Sequence, residues 1–135
     1  MKRLLLLLRL PLAIELANVI IHRLVRAESQ GTHWIDDVSL AITAAVVLYV
    51  GWTVARTLDR VGLAILGALL VWGCSVTAVT VLMGAKLVLQ DLASSETGLL
   101  AVKGFLFSAL LIVPVVALLS GIAGFVAVRT RRSGA

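Results

Sequence analysis

The stretch LLLLLRLPLAIELANVIIHRL, residues 4–24, decides how this chain is built. A bilayer core takes about 20 residues of apolar helix to cross, and this segment has that length. It is also the only candidate span with a carboxylate, Glu15, inside it. At helical spacing Pro11, Glu15, Asn18 and His22 fall on one stripe (i, i+4, i+7, i+11), and Arg26 continues it. A charge at the centre of a span costs at least ~2.5 kcal/mol, so Glu15 is expected to be protonated, paired or turned toward a wet cavity. Asn18 and His22 lie one and two turns outward on the same face. The three form a polar intramembrane stripe that can pass a proton, hold a small cation, or make a static interhelical hydrogen bond.

Two other readings of this stretch compete with a span. Met1-Lys2-Arg3 before five leucines resembles a secretory signal, with Val25-Arg26-Ala27 as its cleavage site. Arg9, Glu15 and Asn18 interrupt the apolar region, however, and His22, Arg23 and Arg26 crowd that site. An amphipathic helix lying in the interface is the second, because Arg9 and Arg23 widen the polar arc. Leu8, Leu12 and Val19 on the same side blur that amphipathicity. A true span is the expectation, with three spans plus an N-terminal interfacial helix as the alternative.

Working outward, the 135 residues are 61% hydrophobic and 14% charged, with a mean hydropathy of +1.10. Soluble domains carry about 25% charged residues. The sequence therefore predicts an all-α integral membrane protein, one membrane domain over 1–135, folded as a four-transmembrane-helix bundle. The spans are expected at about 4–25, 38–58, 61–85 and 99–128. Residues 27–37 are polar, with turn chemistry at Ser29-Gln30-Gly31, an interfacial Trp34, and Asp36 or Asp37 at the start of the next helix. Arg56-Thr57-Leu58-Asp59-Arg60 is a short basic hinge, which makes spans two and three an antiparallel hairpin. A polar stretch over 86–97 follows, where Ser94 or Ser95 is placed to cap the fourth span. Pro114 falls in mid-span, where it is expected to bend the helix.

The net charge of +5 comes from Lys and Arg at the ends of apolar segments, a topological placement that leaves no case for a nucleic-acid partner. Lys2, Arg3, Arg9, Arg56, Arg60, Arg129, Arg131 and Arg132 share one side, against Arg23, Arg26, Lys86 and Lys103 on the other. The positive-inside rule then puts both N and C termini in the cytoplasm.

Two further faces stand out. Gly73, Thr77, Thr80 and Gly84 repeat the spacing of the Glu15 stripe at matching depth in the third span, and are expected to face Glu15, Asn18 and His22. Cys74, beside them, reads as inert packing. In the fourth span Ala117, Ser120, Gly121 and Gly124, with Ala127, make a small-residue packing face. Its small-xxx-small pairs allow close helix contact, within the bundle or between subunits.

Signals of catalysis are absent. His22, His33, Asp36 and Asp37 can gather at the outer face, but no CxxC, HExxH or paired-His spacing accompanies them, and His33 reads as a solvated loop histidine. No phosphate-binding glycine loop or Ser–His–Asp set is present. No catalytic residue, metal or cofactor is expected, and an enzyme is not. The sequence favours a small non-catalytic multi-pass membrane protein, a structural or accessory subunit. Its expected partners are the lipid bilayer and other membrane subunits, or itself as a homo-oligomer.

The alternative is an oligomeric proton-linked transporter or ion channel that uses Glu15. Four spans with one carboxylate in the first resemble the layout of the small multidrug resistance transporters. The glutamate of that family sits in an Ala-Glu-Val/Ile-x-Gly context, whereas here it lies in Ile14-Glu15-Leu16-Ala17-Asn18. The likeness is thus one of architecture alone. An aromatic content of 5% is also thin for caging hydrophobic cations. Short loops and the absence of an N-x-Ser/Thr acceptor agree with a prokaryotic plasma membrane.

Overall fold

A computed structural model describes residues 2–28, 33–89 and 96–134. These form four helices: α1 (Lys2–Glu28), α2 (Trp34–Leu58), α3 (Val61–Leu89) and α4 (Glu96–Ser133). All four are long and apolar enough to cross a membrane. At 1.5 Å per residue α2 extends about 38 Å and α4 about 57 Å, against a hydrocarbon core of about 30 Å. The expected turn at 29–31 and the proposed caps Ser94 and Ser95 lie outside the described residues.

The helix ends follow from local chemistry. Asp36 and Asp37 occupy the first turn of α2 and Arg56 its last, each complementing the helix dipole. α2 begins at Trp34 rather than Val38, so both aspartates sit inside the helix. It ends on Asp59, which caps it in the left-handed region at φ 52°, a conformation that Asp tolerates better than most residues. One residue later α3 begins. Arg131 of α4 donates to the Arg56 carbonyl at 2.8 Å, and Arg132 lies 3.7 Å from the Asp59 carboxylate. These bonds hold the end of α4 against the α2–α3 hairpin. Helical structure continues through both Pro11 and Pro114.

Helices α2 and α3 form the centre, and α1 and α4 each pack on both of them. α1 runs antiparallel to α2: from Glu15 through Asn18 to His22, its partners recede from Thr43 through Ser39 to Asp36. Its inward side is Leu4, Leu8, Pro11, Glu15 and Asn18, so α1 packs along the bundle rather than across its end. The core joins Leu4 and Leu8 to Val46, Val47, Val50 and Val54 of α2, Ala64, Ala68 and Val71 of α3, and Val116 and Ala127 of α4.

The backbones of α2 and α4 approach closely at Gly51. A Cβ added to Gly51 would lie 2.6 Å from the Ser120 carbonyl oxygen and 2.9 Å from its Cα. One turn on, a Cβ at Gly124 would press on Ala55 and Ala64 at 3.2 and 3.3 Å. The small face of α4 is therefore used inside the bundle, through Ser120, Gly124 and Ala127. Gly121 turns toward Ile65 and Ala117 is half-buried. Ser120 satisfies its buried hydroxyl on the Val116 carbonyl of its own helix at 2.8 Å. Gly51, which the sequence reading passed over, is the residue that lets the two backbones meet.

A Gly51→Val substitution is expected to lower the stability of the detergent-solubilised protein by about 1–3 kcal/mol through overpacking. Gly62→Ala, where an added Cβ meets nothing within 4 Å, should leave it within about 0.5 kcal/mol. Unfolding in mixed micelles, followed by circular dichroism, measures both.

Candidate functional site

The polar stripe of α1 faces α2. Glu15 is 1% exposed, and its Oε1 accepts a hydrogen bond from the Thr43 hydroxyl at 2.7 Å. The Asn18 amide donates to Thr43 Oγ1 at 3.3 Å and to the Ser39 carbonyl at 3.2 Å. Two turns out, His22 Nε2 lies 2.7 Å from Asp36 Oδ1, and Arg26 donates to the same oxygen at 3.1 Å. The stripe thus runs from an ionic, partly exposed rim to a single buried carboxyl group.

The direction of these bonds matters. A hydroxyl has one proton and two lone pairs. Thr43 gives its proton to Glu15 and takes one from Asn18, whose amide also donates outward to the Ser39 carbonyl. Glu15 Oε2 is buried and has no hydrogen-bond partner among the described residues. This oxygen is able to carry a proton or to accept an arriving donor. A buried polar atom without a partner costs about 1–3 kcal/mol.

A shallow groove of about 190 Å³, lined in part by Asn18, His22, Trp34, Ser39 and Ile42, opens beside the cluster. Glu15 does not line it, so the groove stops one turn short of the carboxyl group.

The expected facing stripe on α3 is not the partner. Gly73 and Thr77 are exposed, and a Cβ added at Gly73 or Gly84 would meet nothing within 4 Å. The Thr77 and Thr80 hydroxyls turn back to the carbonyls of Gly73 and Val76 in their own helix, both at 2.8 Å. α3 instead buries Ala64, Ala68, Val71, Ser75 and Val79. These residues share the helical period of the expected stripe but lie on the opposite side of the helix. Matching depth and spacing constrain the level of a contact and leave the rotation of the helix undetermined. Cys74 is likewise exposed, not packed in the interior.

Thr43 is the site residue that the sequence reading missed. Its signal is positional: with α1 and α2 antiparallel across a short connection, residues equidistant from the turn face each other, and Thr43 is the hydroxyl nearest that position for Glu15.

His33 is exposed at the N-cap of α2 and makes no side-chain cap bond. Of the outer His and Asp residues, His22 and Asp36 meet. Among the described residues no three His, Cys, Asp or Glu side chains converge. Comparison with known protein families, with characterised proteins and with solved structures finds no match for this chain.

The Glu15–Thr43 bond is measurable. Interhelical hydrogen bonds in membranes contribute about 0.6 kcal/mol on average and up to about 1.7. Thr43→Val is expected to destabilise the bundle within that range. A cycle with Glu15→Leu should recover a coupling of the same size, whereas strictly additive effects would mean that the bond is not made.

Proposed function

We propose that this chain is a small non-catalytic subunit of a membrane assembly, with four spans and both termini on the cytoplasmic side of a prokaryotic plasma membrane. The observation that carries this reading is the outer face of α3. Gly73 and Thr77, exposed, and Thr80 and Gly84, half-buried, form a small and hydroxyl-bearing stripe on the side of α3 away from its buried residues. In lipid, apolar surface alone does not draw helices together, and close approach over small residues is a principal source of association. This stripe is suited to a helix from another chain. The exposed amino-terminal half of α4, with Gly104 and Ser108 among Leu100, Phe107 and Leu111, offers a second such face.

The charge distribution supports the orientation. Antiparallel packing gathers the N-terminal end of α1, the α2–α3 hairpin and the C-terminal end of α4 at one end of the bundle. That end carries Lys2, Arg3, Arg56, Arg60, Arg129, Arg131 and Arg132, as expected of a cytoplasmic side.

Purification in mild detergent, with mass spectrometry of whatever travels along, tests the subunit reading. A stoichiometric membrane partner, or a defined homo-oligomer, is expected. Gly73→Leu and Thr77→Leu should release it while changing the stability of the chain itself by less than about 0.5 kcal/mol. Cys74, exposed beside the stripe, should cross-link to it. A lone monomer that Gly73→Leu leaves unchanged would remove the proposal.

A second reading has its own support in Glu15 Oε2, buried and without a hydrogen-bond partner among the described residues, beside the Oε1 that Thr43 holds. It makes the protein an oligomeric proton-linked transporter or ion channel, with Glu15 as the titrating group. Flux in liposomes decides it: abolition by Glu15→Gln supports transport, and unchanged flux ends it.

A further inference from the structure

We infer that the groove where α1, α3 and α4 converge holds an anionic phospholipid. The groove arises because α1 and α4 both pack on α3 without packing on each other. At this end they are bridged by Arg23, whose guanidinium carbon lies 5.4 Å from the centre of the Phe105 ring. The space beneath is about 660 Å³, within the usual size range of small-molecule sites.

Its walls and its rim differ in chemistry. Ile20 and Leu24 of α1, Val79 and Leu82 of α3, and Ala101 of α4 make an apolar lining. Arg23, Arg26 and Lys86 supply three cations, and among the described residues that line the groove none is acidic. Arg26 is tied to Asp36, which leaves Arg23 and Lys86 as the principal attraction for an anion. Phe105 steadies the Arg23 guanidinium by a cation–π contact and leaves its edge free to fork onto phosphate oxygens. Lys86 is exposed in the last turn of α3.

A soluble anion would satisfy the cations and leave the walls uncovered. A neutral lipid would cover the walls and forgo the cations. A phospholipid of net negative charge does both, with its phosphate at the level of Arg23 and Lys86 and an acyl chain against Leu24, Val79 and Leu82. The inference goes beyond the subunit reading and holds with or without a protein partner on the outer face of α3.

The full chain in detergent, titrated with phosphatidylglycerol or with phosphatidylcholine of the same acyl chains and observed by native mass spectrometry, provides the test. Preferential retention of phosphatidylglycerol is expected. Each of Lys86→Gln and Arg23→Gln should weaken that retention about fivefold and leave phosphatidylcholine unaffected. Leu82→Trp, which fills the groove and keeps its charges, should abolish the preference. Lys86→Gln alters an exposed side chain, so its result is independent of any effect of Arg23 on folding. Equal retention of the two lipids overturns the inference, as does a preference that survives the double Arg23→Gln/Lys86→Gln variant. Displacement by inorganic phosphate would assign the cations to a free anion. A second protein chain cross-linked at Ala101→Cys would assign the groove to a helix. Either result also overturns the inference.

Discussion

The contact of α2 and α4 at Gly51 and Ser120 is the constraint on which the rest of the bundle depends. In an apolar solvent, burying leucine gains little over leaving it in lipid, so helices are held where their surfaces fit most closely. Here two backbones touch because Gly51 has no side chain, and Gly124, Ala55 and Ala64 keep the next level equally thin. With α2 and α4 locked at that crossing, α3 is fixed by the two-residue connection at Asp59 and Arg60 and by Ala64 between them. α1 then takes the remaining side of the α2–α3 pair.

That placement gives the polar residues of α1 their meaning. A carboxyl group buried between apolar helices needs partners from a neighbouring helix, because burial without hydrogen bonds is costly. α2 supplies them through Thr43, with Asn18 bridging to Ser39 and His22 meeting Asp36 at the rim. The cluster serves as register marks along the α1–α2 pair, since sliding one helix by a turn would break every bond at once. One oxygen of Glu15 still goes unpartnered among the described residues.

The faces that are not packed inward are equally informative. α3 divides into an inner side of Ala64, Ala68, Val71, Ser75 and Val79 and an outer side of Gly73, Thr77, Thr80 and Gly84. Both sides have small residues. α1 and α4 both pack on α3 without packing on each other, which also leaves the basic-rimmed groove, so the lateral surface of the bundle is neither uniform in shape nor uniform in charge.

The sequence by itself determined the four helices, their limits to within a few residues, and the stripe of Pro11, Glu15, Asn18 and His22 that turns inward. Length, apolar composition and the spacing of charges encode those features locally. It also marked Ser120 and Gly124 as a packing face. Tertiary structure alone decided that this face meets Gly51 within the same chain, that Glu15 bonds to Thr43, and that the Gly73–Gly84 stripe looks outward. The reason is rotational. Helical period tells which residues share a side, but α3 has two sides of nearly equal smallness and hydropathy. Its rotation is set by the sum of contacts with three neighbours, a quantity that no single segment carries.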